Sequence, residues 1–517
     1  MPNLFDSQLA LLDWLILAGY FVLIITIGAL ASRGKNDEQG FFLGGRRMPA
    51  WAVAMSFAAT TLSAATFIGG PAESFKTDLT LLSFEIAKVL GALLVAALFL
   101  PPLFRSGCTT VYGYLGRRVG PGAMQAASAM FLFGRLLASG ARLFIAGTAF
   151  SLILYGNLET ANLVLAIVLF GVVGTLYTTL GGIKAVIWTD TLQLLVVVGA
   201  VVVAMLLLLH AIPLPMSEIV HVLQQEQKTR LLDTSSDLSK ATTLWAGLAM
   251  TFFFAAAFGA DQDMAQRLLT CKSLKQSVGA LLGATLIALP ITVMFMATGL
   301  LLYIFYTQPG LMGAAAPADA VTDHRQAYPR FLLNELPIGI RGVAIAGLFA
   351  AAMSSLDSAM NAMASSAVSD LINPARRALS RSEESDELAP LWSRLAVVLM
   401  GALLTAAALV MALIYDPEAD TLIRFALGVM TFAYAGLMGV FLCVLLTGRG
   451  STASVIAALI TGMAVIAASR YVPLIKSWPI AWPYWMVIGT AASLGVCLIG
   501  AVRRDHPPYT NRSATRL

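Results

Sequence analysis

Thirteen apolar segments, each long enough to cross a bilayer, constrain this chain more than any other feature. They lie at about 10–31, 49–70, 79–103, 123–155, 160–180, 186–210, 241–262, 276–306, 339–366, 391–414, 421–446, 451–470 and 483–502. A spanning helix needs about 20 mainly apolar residues. Backbone in hydrocarbon must satisfy its own hydrogen bonds, so runs of this kind fold as helices packed into a bundle. The expected fold class is an all-α integral membrane protein with about 13 transmembrane helices. Only 12% of the 517 residues are charged, against about 25% in soluble proteins. That excludes an ordinary soluble enzyme and a disordered chain.

The formal net charge is +5, but the basic residues are scattered in short loops rather than gathered for a nucleic-acid partner. They read as positive-inside markers. Arg33, Lys35, Arg46 and Arg47 precede the second segment, Arg105, Arg117 and Arg118 follow the third, and Arg267, Lys272 and Lys275 follow the seventh. Lys184, Arg376, Arg377, Arg381, Arg449 and the C-terminal arginines continue the alternation. This orients the N-terminus outside and the C-terminus in the cytoplasm, as an odd number of spans requires. The opening stretch MPNLFDSQLALLDW has no basic residue before its apolar run, so the first segment reads as a retained span rather than a cleaved signal. Two longer outer loops, 211–240 and 307–337, have room for short surface helices, and no appended soluble domain is expected.

Three segments are too polar to face lipid. The second holds Thr60, Thr61, Ser63 and Thr66, followed by Gly69, Gly70 and Pro71. Threonine competes for backbone hydrogen bonds and Gly-Gly-Pro marks a break, so a discontinuous helix is expected here. Unwound backbone lining a cavity frees carbonyls that can hold an ion. The seventh segment runs through DQDMAQR. The ninth carries Ser354, Ser355, Asp357, Ser358 and Asn361, a polar stripe at helical spacing. Asp190 stands near the start of the sixth. Single hydroxyls can be packing glue between helices, but a cluster sharing a face with a carboxylate points to a cation or to a protonated acid.

Arg135 and Arg142, seven residues apart in the fourth segment, need an internal anion or an anionic ligand, because a guanidinium keeps its charge. Glu85 is a candidate internal partner, although Lys88 lies one turn from it. The four cysteines have no ligand-like spacing, the four histidines lie in or near loops and the tail, and no phosphate-binding glycine loop occurs. The chain therefore does not read as an enzyme or an ATP-driven pump.

The stretches FAATTLSAATFIGGPAESF, GGIKAVIWTDTLQ, DQDMAQR and FAAAMSSLDSAMNAMASSAVSD resemble the sodium/solute symporter family over essentially the whole chain. The resemblance implies transport by alternating access in a five-plus-five inverted repeat with discontinuous helices. The parts would be a leading helix at 10–31, repeats at 49–210 and 241–446, and two further helices within 451–502. It implies a sodium site made by the carbonyls of Ala59, Leu62 and Ala351 with the hydroxyls of Ser354 and Ser355. A second sodium site, known in sialic acid carriers, would use Asp190, Ser354 and Ser358, with Asp357 standing where the family has another hydroxyl. One or two Na⁺ ions would then accompany each solute.

Residues resembling the sialic acid carriers' substrate site are Thr61, Ser63, Thr66, Leu81, Glu85 and Arg135. In those carriers the arginine binds the sugar acid's carboxylate. This sequence departs at Leu81, where the family has phenylalanine, and at Glu85, where it has glutamine. Sialic acid, another sugar acid or a monocarboxylate would each suit the arginine. A neutral sugar or an amino acid such as proline is the alternative, and a membrane sensor is a third reading. The resemblance places the protein in a bacterial plasma (inner) membrane, with Na⁺ and a small anionic solute as its partners; a chain that forms its own core is expected to work as a monomer.

Overall fold

Backbone that lipid cannot hydrate closes into helices, and the computed structural model has one at each of the thirteen segments. The structure describes residues 9–31, 38–179, 182–313, 317, 321, 323–379, 389–415, 422–472 and 478–501. The helices are α1 (Leu11–Ala31), α2 (Ala50–Thr61), α3 (Ala64–Lys76), α4 (Thr80–Ser106), α5 (Val111–Arg118), α6 (Pro121–Tyr155), α7 (Thr160–Thr178) and α8 (Gly182–Ala211). They continue as α9 (Leu244–Ala260), α10 (Gln262–Leu269), α11 (Leu274–Thr307), α12 (Ile340–Ser366), α13 (Ala389–Ile414), α14 (Leu422–Leu446), α15 (Thr452–Tyr471) and α16 (Trp482–Leu498). The outer segment 211–240 carries the short helix Met216–Gln225, and 307–337 carries His324–Arg330.

Among the described residues, nine helices are long and apolar enough to span a membrane, and two bent pairs bring that to eleven. The pairs are α2 with α3, bent by 53°, and α9 with α10, bent by 54°. Two shorter apolar helices, Thr160–Leu176 and Trp482–Leu498, lie at the remaining two segments. Helix α12 is the centre of the bundle: 94% of its apolar window is buried, against 22% for α1. Leu11, Leu15 and Val22 of α1 and Val410 and Leu413 of α13 are exposed, as lipid-facing side chains should be. The leading helix is nevertheless tied to the centre. Buried Asp13 accepts hydrogen bonds from the backbone N–H groups of Gly339 (2.8 Å) and Gly342 (2.9 Å), capping the otherwise unsatisfied start of α12.

The second segment breaks, but not at Gly69-Gly70-Pro71. The turn is at Leu62 (φ −94°, ψ 61°) and Ser63 (φ −72°, ψ 176°), and α3 runs unbroken through the glycines and the proline. Those residues instead form a packing face. Gly299 of α11 sits so close that a Cβ there would lie 2.2 Å from the Pro71 carbonyl oxygen. The Ser74 hydroxyl donates across the same contact to the Met296 carbonyl at 2.7 Å. Pro71 lies inside α3 and forgoes one helical hydrogen bond there, and close approach between helices is what small residues permit.

Candidate functional site

The break between α2 and α3 frees carbonyls at membrane depth. In a continuous helix the Ala59 and Thr60 carbonyls would accept from N–H groups four residues on. Here they accept side-chain hydroxyls of α12 instead: Ser354 Oγ donates to Ala59 O at 3.2 Å, and Ser355 Oγ donates to Thr60 O at 3.3 Å. Ser354 Oγ also lies 3.3 Å from the Ala351 carbonyl. Of the five residues expected around the first sodium ion, Ala59, Ala351 and Ser354 thus converge directly. Ser355 reaches the adjoining Thr60 carbonyl, and Leu62 is buried in the turn itself. Oxygen donors from hydroxyls and free carbonyls are the set a hard cation takes.

The residues expected around a second ion are spread over two partner sets. Ser358 Oγ donates to the Ser355 carbonyl at 3.2 Å, and Asp357 accepts from Thr178 Oγ1 of α7 at 3.0 Å. Asp190 is fully buried on α8 and is held by Ser56 Oγ (2.6 Å) and by Arg267 Nη2 (3.1 Å). Its other oxygen, Oδ1, is buried without a hydrogen-bond partner.

Arg267 is the largest departure from the sequence reading. It is not a cytoplasmic loop charge but a fully buried guanidinium on α10. Its nitrogens donate to Ser56 Oγ (2.9 Å), Thr60 Oγ1 (2.7 Å), the Asp263 carbonyl and carboxylate (each 2.7 Å) and Asp190. One side chain therefore joins both bent pairs to α8. A buried fork of this kind needs several acceptors, because each unmet N–H carries a desolvation cost.

On the other side of the break, one cavity holds about 890 Å³ not occupied by protein, its open mouth included. All six residues expected to face solute, Thr61, Ser63, Thr66, Leu81, Glu85 and Arg135, line it. Helix α6 reaches the wall because Gly134 lets it touch α14. A Cβ at Gly134 would lie 2.0 Å from the Ala433 Cβ. Of the two pairings open to Glu85, the structure has the one with Lys88. Glu85 accepts from Lys88 Nζ at 2.5 Å, whereas Arg135 pairs with Asp261 (3.1 Å) and with Asp263. Both aspartates stand at the α9–α10 break, where Asp261 caps α10 by accepting from the Asp263 N–H at 2.9 Å. Tyr434 Oη of α14 donates to the same Asp261 oxygen at 2.5 Å. Asp261, Asp263, Arg267 and Tyr434 were not among the expected site residues. The i,i+4 spacing of Asp263 and Arg267 inside an apolar surround was the available signal.

Two bent spans meeting over a charge-bearing cavity is a transporter arrangement, and comparison with known proteins agrees. Residues 41–462 match the sodium:solute symporter family. The chain belongs to that family. A sodium/sialic acid symporter of Proteus mirabilis is 28% identical over 464 residues, covering 89% of this chain and 90% of that one. The sodium-coupled monocarboxylate transporter 2 of Bos taurus is 27% identical over 497 residues, 92% of this chain and 76% of that one. A substrate-bound, outward-open structure of a Na⁺-coupled sialic acid symporter superposes with a TM-score of 0.82 at 25% identity, covering 95% and 97% of the two chains. As a sodium:solute symporter, the protein is a multi-pass membrane protein. It moves an organic solute with sodium and is a secondary transporter rather than an enzyme.

Proposed function

We propose that this symporter carries a carboxylate-bearing solute, a sialic acid, another sugar acid or a monocarboxylate, by alternating access from a bacterial plasma membrane. One observation carries the reading: a guanidinium-bearing cavity borders the helix break whose carbonyls meet Ser354 and Ser355. The first sodium ion sits among Ala59, Leu62, Ala351, Ser354 and Ser355. The second is held by Asp190, Ser354, Asp357 and Ser358. The solute lies against Thr61, Ser63, Thr66, Leu81, Glu85 and Arg135.

Coupling follows from adjacency. Ion binding orders the Leu62–Ser63 turn, and Ser63 and Thr66 just beyond it line the cavity. An ion that binds the ordered turn more tightly than the loose one raises the affinity for solute by the same factor that solute raises the affinity for sodium. The inverted repeats of 49–210 and 241–446 each begin with a bent pair, which supports rocking of one half against the other. The N-terminus lies outside, and a single copy is the working unit.

The test is uptake into proteoliposomes of N-acetylneuraminate, gluconate and lactate, each with and without an inward sodium gradient. Sodium-dependent uptake of at least one acid is expected. Uptake of proline or glucose, with none of the acids, would overturn the reading. That second reading, a neutral sugar or amino acid, draws on the engagement of Arg135 by Asp261 and Asp263.

A further inference from the structure

The two arginines on the cavity face of α6 are not equivalent. They are seven residues apart, so they project from one side of the helix about 10 Å apart along its axis. Arg135 is ion-paired with two carboxylates, Asp261 and Asp263, although its Nε is buried without a hydrogen-bond partner. Arg142 lines the same cavity. Its Nη2 reaches only the Met430 sulfur, at 3.6 Å, and its Nη1 is buried with no hydrogen-bond partner. A thioether is a weak acceptor. Among the described residues no carboxylate forms an ion pair with Arg142. The other acids of the region have cations of their own: Asp261 accepts from Arg135 and Tyr434, and Glu85 Oε1 from Lys88.

A guanidinium cannot shed its charge to escape this position, so an anion must meet it there. Glu85 is the one carboxylate among the described residues that line the cavity, and Lys88 pairs with it. We propose that Arg142, rather than Arg135, is the residue that receives the carboxylate of the transported solute. Arg135 is then a positioning residue that fastens the α9–α10 break to α6. The assignment rests on the proposed reading that the solute is an acid. It also gives a chemical class: a monocarboxylate whose carboxylate is flanked by apolar atoms, bound bidentately by a planar fork.

The variants behave differently because one arginine is paired and the other is not. In the solute-free protein, Arg142→Gln removes an unmatched buried cation, so Tm holds or rises. Arg135→Gln leaves the buried Asp261 without a cation and Asp263 with Arg267 alone, so Tm falls. Ligand binding is read by sodium-dependent thermal shift and titration with lactate, phenylacetate and N-acetylneuraminate. Each acid is matched by a control without the charge: lactamide, phenylacetamide and the sugar acid's methyl ester.

For the acid that the wild type binds, Arg142→Gln weakens binding at least tenfold and abolishes the preference over the uncharged control. Arg142→Lys recovers part of both. Arg142→Gln that keeps wild-type affinity and preference overturns the proposal. A wild type that binds only the uncharged controls fails earlier, at the substrate class, and the two failures are separable in the same data. Should Arg142→Gln not fold, Arg142→Lys alone decides: unchanged affinity and preference overturn the assignment, and an intermediate loss supports it.

Discussion

Arg267 shows what a single buried charge does in this protein. It donates to Ser56, Thr60, Asp190 and Asp263, which come from three different helices. Removing one member of a buried ion pair leaves the other charge unmatched, at about 3–5 kcal/mol. Arg267→Leu should therefore lower Tm sharply. Asp190→Leu in the same chain should return part of the loss, because the two changes together strand one carboxylate fewer. Chemical or thermal denaturation of the two single variants and the double variant reads this coupling; simple additivity would mean the pair contributes nothing. The charge itself was legible in DQDMAQR, but its depth was not, because loop charges and buried charges look alike in a sequence until the bend of α10 turns the side chain inward. Ser354 is the opposite case. Its type and spacing marked it from the outset, and it meets the Ala59 carbonyl. Ser354→Ala should raise the sodium concentration for half-maximal uptake about tenfold, the equivalent of ~1.4 kcal/mol. Unchanged sodium dependence would remove Ser354 from the ligand set.

At the scale of the element, the informative error lies in the second span. Its discontinuity was readable from the density of threonines and from Gly69-Gly70-Pro71, yet the chain turns seven residues before Gly70, at Ser63. Local signals locate residues that tolerate a break. Which of them breaks is set by the neighbours, here Gly299 and Ser74 holding α3 straight against α11 and two serines donating to the carbonyls that α2 leaves free. The same dependence on a partner explains Gly134, where nothing in the sequence announces the contact with Ala433. Gly134→Ala forces two Cβ atoms within 2.0 Å of each other, so α6 must withdraw from α14. Overpacking of this kind costs about 1–3 kcal/mol, and it also displaces Arg135, the next residue. The expected result is a lower Tm and weaker solute binding together, both recovered by adding Ala433→Gly. Failure of that second change to restore either would show that the close approach is not what the glycine serves.

At the scale of the whole molecule, charge balance constrains the transported set. Around the two breaks and the cavity stand four cations, Lys88, Arg135, Arg142 and Arg267, and five carboxylates, Glu85, Asp190, Asp261, Asp263 and Asp357. In a low-dielectric interior an imbalance is expensive, so the loaded state should approach neutrality. Two sodium ions with one monocarboxylate achieve this when Asp357 is ionised. One sodium with one monocarboxylate achieves it when Asp357 carries a proton. The two cases differ in what crosses the membrane: the first moves one net positive charge per solute and the second moves none. The proposed second ion lies beside Asp357 and favours its carboxylate form, so the ionised case is expected. An inside-negative potential imposed on proteoliposomes by a potassium gradient and valinomycin should then accelerate uptake. Asp357→Asn removes the fifth carboxylate, so its uptake should become insensitive to the potential and need one sodium per solute. Wild-type uptake that ignores the potential, with the acid confirmed as the solute, would mean one sodium per solute and a proton that stays on Asp357 throughout the cycle.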